Sequence, residues 1–215
     1  MHFQSFINKL ATQLRQPLPG KEAHLQMIPA VRLPDYDKGY DLENARQSSV
    51  LILLYPSSTS IFIPFIQRPI YEGVHSGQIG LPGGKMETYD PSPEATALRE
   101  ANEEIGIIEA EVEIIGALTP VYVPPSRFLI NVLVGYQNSS PIFIKDDKEV
   151  DEIITISVDD VLNDLTMGSV PVTNSMGLHF DAPCFLIENK TIWGATAMII
   201  NEFKWILKKT DLETD

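Results

Sequence analysis

A chain of 215 residues with 44% hydrophobic content suits one medium-sized globular domain with a sizeable core, and leaves no room for a second full one. Its net charge of -13 and pI near 4.7 exclude broad binding to a nucleic-acid backbone, which requires a basic surface that displaces counterions. A small anionic ligand, held locally or through a metal ion, stays open.

Phe3, Phe6, Ile7, Leu10 and Leu14 recur at helical spacing, predicting an amphipathic helix that ends before Pro17. This amino terminus lacks the continuous apolar stretch and small-residue cleavage site of a secretory signal. From Pro17 to Arg46 the mixed, proline-punctuated text reads as irregular. Apolar runs at 49–54 and 60–67, parted by Pro56-Ser57-Ser58-Thr59, predict a strand hairpin where the central sheet starts. Residues 70–92 hold five of the thirteen glycines and read as a long shaped loop rather than a regular element; loops of that length in compact domains tend to be functional. Ser92-Pro93-Glu94 then offers an N-cap, a proline at the first helical position and an acid in the first turn, and Gly106 a stop, so a helix is predicted over 93–105.

Strands are expected near 111–117, 128–136 and 149–156, a short helix near 158–162, further strands at 169–173 and 178–187, and a closing helix from Ala195 to Lys208. The sole cysteine, Cys184, lies in an apolar run and reads as a free core thiol. No run of about 18 apolar residues appears, and the carboxyl terminus carries no organelle address. The expectation is a soluble protein of the reducing cytoplasm without membrane or nucleic-acid partners. Strands interleaved with helices predict an α+β fold, a mixed sheet packed between helices.

The chemistry concentrates in the helix at 93–105. At 100° per residue, Glu100, Glu103 and Glu104 fall within an arc of about 100°, opposite the apolar stripe Leu98, Ala101 and Ile105. Like charges at these spacings each cost a few tenths of a kcal/mol, and acids in the last turn oppose the helix dipole by about 0.3–1 kcal/mol. A solvated acidic face tolerates that cost; a bound magnesium or manganese ion offsets it, since carboxylate oxygens completed by water and substrate phosphates are its usual ligands. Arg99 is placed to reach Glu103 one turn on or to brace a carboxylate in the preceding loop.

The run from Gly84 through Ile107 resembles the Nudix box, with Arg99, Glu100, Glu103, Glu104, Gly106 and Ile107 matching position for position. The preceding acidic position departs from the usual spacing, and either Glu87 or Asp90 is available to brace Arg99. That expansion, with Gln67-Arg68-Pro69, the stretch His75 to Lys85, Tyr122 to Phe128 and Ile192 to Ala197, resembles the coenzyme A pyrophosphatase branch over about residues 50–205. Leu81 replaces the branch's aromatic residue, and Glu72-Gly73 stands where it often has Leu-Arg.

The resemblance implies a Nudix-type α/β/α sandwich spanning 1–215 as a single domain, with 1–46 as lead-in and 84–107 as the box. It implies a Mg2+- or Mn2+-dependent pyrophosphohydrolase in which Glu103 and Glu104 ligate metal, Glu100 serves as ligand, base or both, and a backbone carbonyl in Gly83-Gly84 also contacts it. A later-loop acid, Glu149 or Glu152, is a further candidate base or ligand, with a solvated sheet edge as the plainer explanation of that acidic run. Arg68, His75, Gln78, Lys85, Arg127 and Tyr122 are candidate contacts for a small nucleotide substrate; for Tyr122 and Phe128 core packing competes with stacking on adenine, and Trp193 reads as structural. Coenzyme A is the substrate implied, with cleavage to 3',5'-ADP and 4'-phosphopantetheine; ADP-ribose hydrolysis and a non-catalytic ligand sensor are the alternatives. The working state is expected to be a monomer or homodimer.

Overall fold

Leu51 to Leu54 form an unbroken apolar run because strand β1 (Arg46–Pro56) is covered on both faces. Leu51 and Leu53 point toward the carboxylate helix, while Ile52 and Leu54 join a larger cluster built on the first and last helices. In a computed structural model, residues 2–33, 42–58, 60–73, 75–173 and 177–210 are described.

β1 runs parallel to β7 (Phe128–Tyr136), with Arg46 to Leu54 paired against Phe128 to Tyr136. Its end turns antiparallel onto β2 (Ile61–Gln67), which also pairs with β3 (Ile79–Gly80) and β8 (Glu152–Ser157). Its start pairs with β4 (Gly83–Lys85), while β5 (Glu113–Ala117) and β6 (Val121–Val123) both lie against β7. A separate antiparallel sheet holds β9 (Met167–Thr173), β10 (His179–Ile187) and β11 (Lys190–Trp193). The mixed sheet between helices expected of an α+β, Nudix-type architecture is present.

The helices α1 (Phe3–Leu14), α2 (Lys21–Leu25), α3 (Pro93–Ile105), α4 (Val158–Leu162) and α5 (Ala195–Lys209) complete the description. α3 buries Ala97, Ala101 and Ile105 against Leu51, Leu53 and Leu133. Small alanines let the helix sit close to the sheet, fixing the height of its opposite, acidic face. α1 and α5 cover the other side with Phe6, Leu10, Ile200 and Phe203. Cys184 is buried, as expected of a core thiol, and burial raises its pKa.

Three expectations need correction. The stretch 17–46 is not wholly irregular: it contains α2, the 3-10 turn Ala30–Arg32 and the start of β1. α2 is anchored by a buried network rather than by helical periodicity. Glu202 of α5 contacts His24 Nε2 at 2.8 Å and accepts from Thr119 Oγ1 at 2.7 Å and from the Gly20 N–H at 3.1 Å. The glycine-rich loop at 70–92 contains β3 and β4, which are two and three residues long and too short to show a period. The strand expected at 149–156 begins at Glu152, because Asp146 ends the preceding segment in a turn, accepting from the backbone N–H groups of Lys148, Glu149 and Val150.

Candidate active site

α3 begins where its sequence says it should. The Ala95 N–H donates to Ser92 Oγ at 3.1 Å, Pro93 occupies the first turn, and Gly106 closes the helix at φ 72°. A β-carbon at Gly106 would stand 2.9 Å from Ile144, so this glycine also admits the segment that follows. That segment is tied to the helix end: the Ile144 N–H donates to the Ile105 carbonyl at 3.0 Å and the Asp146 N–H to the Glu104 carbonyl at 3.1 Å. These bonds carry Glu149 to the acidic face.

Arg99 organises that face. Its Nε and Nη2 donate to the two oxygens of Asp90 at 2.9 and 2.8 Å, and its Nη1 reaches Glu103 at 2.8 Å and Glu100 at 2.9 Å. Asp90, rather than Glu87, is therefore the brace; Glu87 pairs with Lys85 at 3.0 Å. Asp90 also accepts from Thr96 Oγ1 at 3.0 Å and from the Glu87 N–H at 2.9 Å. The Arg99 hydrogen bonds are the largest influence holding the Asp90 carboxyl well below the usual carboxylate range.

The three box glutamates differ in environment. Glu103 is half exposed. Glu100 is mostly buried, and burial raises its pKa, with Arg99 opposing and the charges of Glu103 and Glu149 adding to the rise. Glu104 is 1% exposed. Burial pushes its carboxyl up to about 8, against the pull of Arg68 and the Gly83 N–H, with Glu100 and Glu149 adding to the rise. The Gly83 N–H donates to it at 2.7 Å, and Arg68 Nη2 stands 3.8 Å away. Opposite Glu100 lies Gly84, where a β-carbon would come within 2.3 Å of the carboxylate. The bare glycine thus leaves the backbone against the acid.

Among the described residues, no group of three His, Cys, Asp or Glu side chains is already gathered as a metal cage. Arg99 instead bridges Glu100 and Glu103. The donor chemistry nevertheless fits a hard divalent cation: carboxylates forced into a poorly solvated, mutually repelling cluster beside glycine backbone are all-oxygen ligands.

Glu149 is the later acid close enough to act electrostatically on both Glu100 and Glu104. Glu152 instead pairs with Lys190 on β11 at 2.5 Å.

A cavity of about 1230 Å³ opens from this corner, lined by Gly83 and Arg68 where it meets the acidic face. His75 and Gln78 also line it, with His75 Nδ1 and Gln78 Oε1 in contact at 3.0 Å. His75 adopts φ 68° in this turn. Lys85, Tyr122 and Arg127 lie outside the lining; Arg127 sits exposed at φ 56° in the turn between β6 and β7. Phe128 is only partly buried and lines the cavity, with Arg46 over its ring at 4.2 Å, so core packing is not its whole role. Trp193, expected to be structural, lines it too. Arg32 and Phe180 are further lining residues that carry no local sequence signal. No aspartate or glutamate is among the described residues that line this cavity, in a chain of net charge -13.

A sequence profile of the NUDIX domain matches residues 45–174. The chain is 33% identical over 132 residues to the human protein named mitochondrial coenzyme A diphosphatase NUDT8, covering 61% of this chain and 56% of that one. It thus spans little more than half of NUDT8. It is 29% identical over 201 residues to a Yersinia pestis (strain Pestoides F) protein named Uncharacterized Nudix hydrolase NudL, covering 93% of this chain and 92% of the relative. Among solved structures, the Nudix hydrolase RenU of M. smegmatis superposes with a TM-score of 0.55 at 11% identity, over 80% of this chain and 91% of that one. A MutT/nudix family protein of Enterococcus faecalis gives a TM-score of 0.50 at 16% identity, over 90% and 75%. At those identities the superpositions speak for the fold alone, and it is the profile, covering more than half of the sequence, that assigns the protein to the NUDIX domain family.

Proposed function

We propose that this Nudix hydrolase cleaves the diphosphate bond of coenzyme A or its derivatives, giving 3',5'-ADP and 4'-phosphopantetheine. The observation that carries the reading is the junction of two opposite environments. A crowded carboxylate cluster at Glu100 and Glu104 meets, across Gly83 and Arg68, a large cavity whose described lining has no acid. A ligand whose diphosphate lies at the junction and whose bulk fills the cavity satisfies both. The 33% identity to a coenzyme A diphosphatase supports this substrate over other nucleoside diphosphate conjugates.

Glu100, Glu103 and Glu104, with the backbone of Gly83-Gly84, would hold Mg2+ or Mn2+. Such an ion supplies charge neutralisation at the diphosphate and lowers the pKa of a water molecule. Arg99 holds Glu100 and Glu103 in register through its bidentate bond to Asp90. Arg68 offers a cation to the diphosphate at the cavity mouth. Glu149, on its own loop, is the group proposed to take a proton from the attacking water, with Glu100 sharing that task. His75 and Gln78 are proposed to orient the substrate from the facing loop; Lys85, Tyr122, Arg127 and Glu152 are proposed to have no direct part. The packing of α1 and α5 in one cluster with the sheet supports treating 1–215 as one domain.

Incubating the purified protein with Mn2+ or Mg2+ and separately with coenzyme A, acetyl-coenzyme A and ADP-ribose tests the reading. Chromatographic appearance of 3',5'-ADP from the first two is expected. Cleavage of ADP-ribose without cleavage of coenzyme A would replace the substrate, and ligand binding without turnover of any would favour a sensor.

A further inference from the structure

The cavity's cations fall at two separated places. At the diphosphate corner, Arg68 stands beside Gln67, and Lys190 donates to Gln67 at 3.3 Å while pairing with Glu152. The other place is Arg32, from the turn Ala30–Arg32, upstream of the matched region 45–174. Its guanidinium lies 5.7 Å from the centre of the Phe180 ring. On β10, Phe180 pairs with Val172 and Ile187 pairs with Lys190. Phe180 and Ile187 are seven positions apart on β10, roughly 23 Å of strand at about 3.3 Å per residue. Both Arg32 and Lys190 face the same cavity.

A guanidinium within cation–π reach of a ring, as Arg32 is of Phe180, spends no N–H on the ring and keeps an N–H edge for a planar or tetrahedral anion. The described lining supplies no carboxylate to occupy that edge. A cation on the wall of a cavity whose described lining holds no acid focuses a positive potential there, against the net charge of the rest of the chain. We infer that Arg32 is a specificity-determining residue that binds an anionic group carried by the substrate away from its scissile diphosphate. This rests on the coenzyme A reading and deepens it. One group in that substrate class has both the required chemistry and the reach, a carboxylate at the end of an acyl chain; the ribose phosphate sits on the same sugar as the diphosphate and stays at the other corner.

The test measures kcat and KM of the wild-type protein and of Arg32→Ala on coenzyme A, 3'-dephospho-coenzyme A, acetyl-coenzyme A and succinyl-coenzyme A. Removing one charge-assisted contact raises KM by about 10- to 100-fold with kcat unchanged, and only for substrates bearing the contacted group. A loss on succinyl-coenzyme A alone identifies the acyl carboxylate; a loss on every substrate except 3'-dephospho-coenzyme A would put Arg32 beside the ribose, next to the diphosphate, and overturn the inference. Equal loss on all four, or no loss on any, overturns the inference. Arg32→Lys, which keeps charge but not the planar fork, gives a smaller selective loss. Phe180→Leu, which removes the ring but leaves the arginine, repeats the selectivity if Arg32→Ala is poorly folded. Wild-type turnover of at least one coenzyme A compound separates the two claims: without it the substrate reading fails and the inference fails with it.

Discussion

Arg99 and Asp90 meet as a fork on a carboxylate, Nε and Nη2 each donating to one oxygen at 2.9 and 2.8 Å. The pair joins α3 to the loop before it, so that the helix and Gly84 cannot slide relative to each other. Asp90→Ala leaves the Arg99 cation short of its main partner in a largely buried position and is expected to cost about 2–3 kcal/mol of stability, less than a fully buried pair because Arg99 keeps some solvent. Activity is expected to fall roughly 10- to 100-fold, the usual effect of losing a group that orients ligands. Glu87→Ala, at an exposed pair with Lys85, should leave both within about 0.5 kcal/mol and twofold. Thermal melts and kcat/KM measured side by side check the contrast.

The same pair sets the acid limit of stability. Because the folded pKa of Asp90 is depressed, the unfolded chain binds more protons at low pH. Its contribution is therefore complete above the ordinary aspartate value of about 3.9 and is lost as pH falls through that value toward the folded one. Denaturant melts from pH 6 to pH 2 should show a steeper acid limb for the wild type than for Asp90→Asn. Parallel limbs in the two proteins would show that Asp90 does not set it.

Neighbouring glycines should fail differently when given a methyl group. At Gly84 the new carbon would meet the Glu100 carboxylate at 2.3 Å, which a side chain relieves by turning away. Gly84→Ala is thus expected to fold with a small change in melting temperature and lose about 100-fold or more in kcat. At Gly83 it would meet the Ser49 carbonyl oxygen at 2.2 Å and the Val50 Cα at 2.6 Å, and its φ of 149° is one that L side chains rarely adopt. Gly83→Ala should therefore unfold at markedly lower temperature, as a melt followed by circular dichroism will show.

Removing an acid from the cluster should separate stability from activity. Glu104→Gln keeps an acceptor for the Gly83 N–H while removing a carboxyl whose ionisation burial disfavours. Its melting temperature in chelator is expected to match or exceed that of the wild type, whereas turnover drops about a thousandfold. Glu103→Gln, at a half-exposed site, should lose turnover similarly with unchanged stability. Added Mn2+ should raise the melting temperature of the wild type and not of either variant.

Glu149→Gln and Glu152→Gln complete the set. The first is expected to lower kcat about 100-fold at neutral pH, and the second to leave it within twofold. A reversed order in steady-state assays would give the role of later acid to Glu152, at the start of β8, and not to Glu149 in the turn before it.

What could be read from sequence was what is local. Ser92, Pro93 and Gly106 bound α3 through contacts within a few residues, and Phe128 to Tyr136 announces β7 by an apolar run long enough to stand alone. β4 has no such signal, since its three residues are strand only because β1 offers the paired edge. The choice between Asp90 and Glu87 depended on the loop geometry that lets Asp90 also bind Thr96 and the Glu87 N–H. Glu149 and Glu152 looked alike until hydrogen bonds from the following loop to the end of α3 were known. Arg32 was invisible because its relation to Phe180 links residues far apart in the chain.

The contact of His24 with Glu202, across 178 positions, also orders events during synthesis. The stretch from Gly83 to Glu104, which makes the acidic corner, leaves the ribosome well before Glu202 does. Gly20, His24 and Thr119 must wait for their shared acceptor, so α2 gains its buried anchor only when the last helix has emerged. Until then α2 lacks its covering surface and α1 is covered only on its β5 side. A chain stalled short of α5 would expose Phe6 and Leu10 as a hydrophobic target for chaperones or proteases.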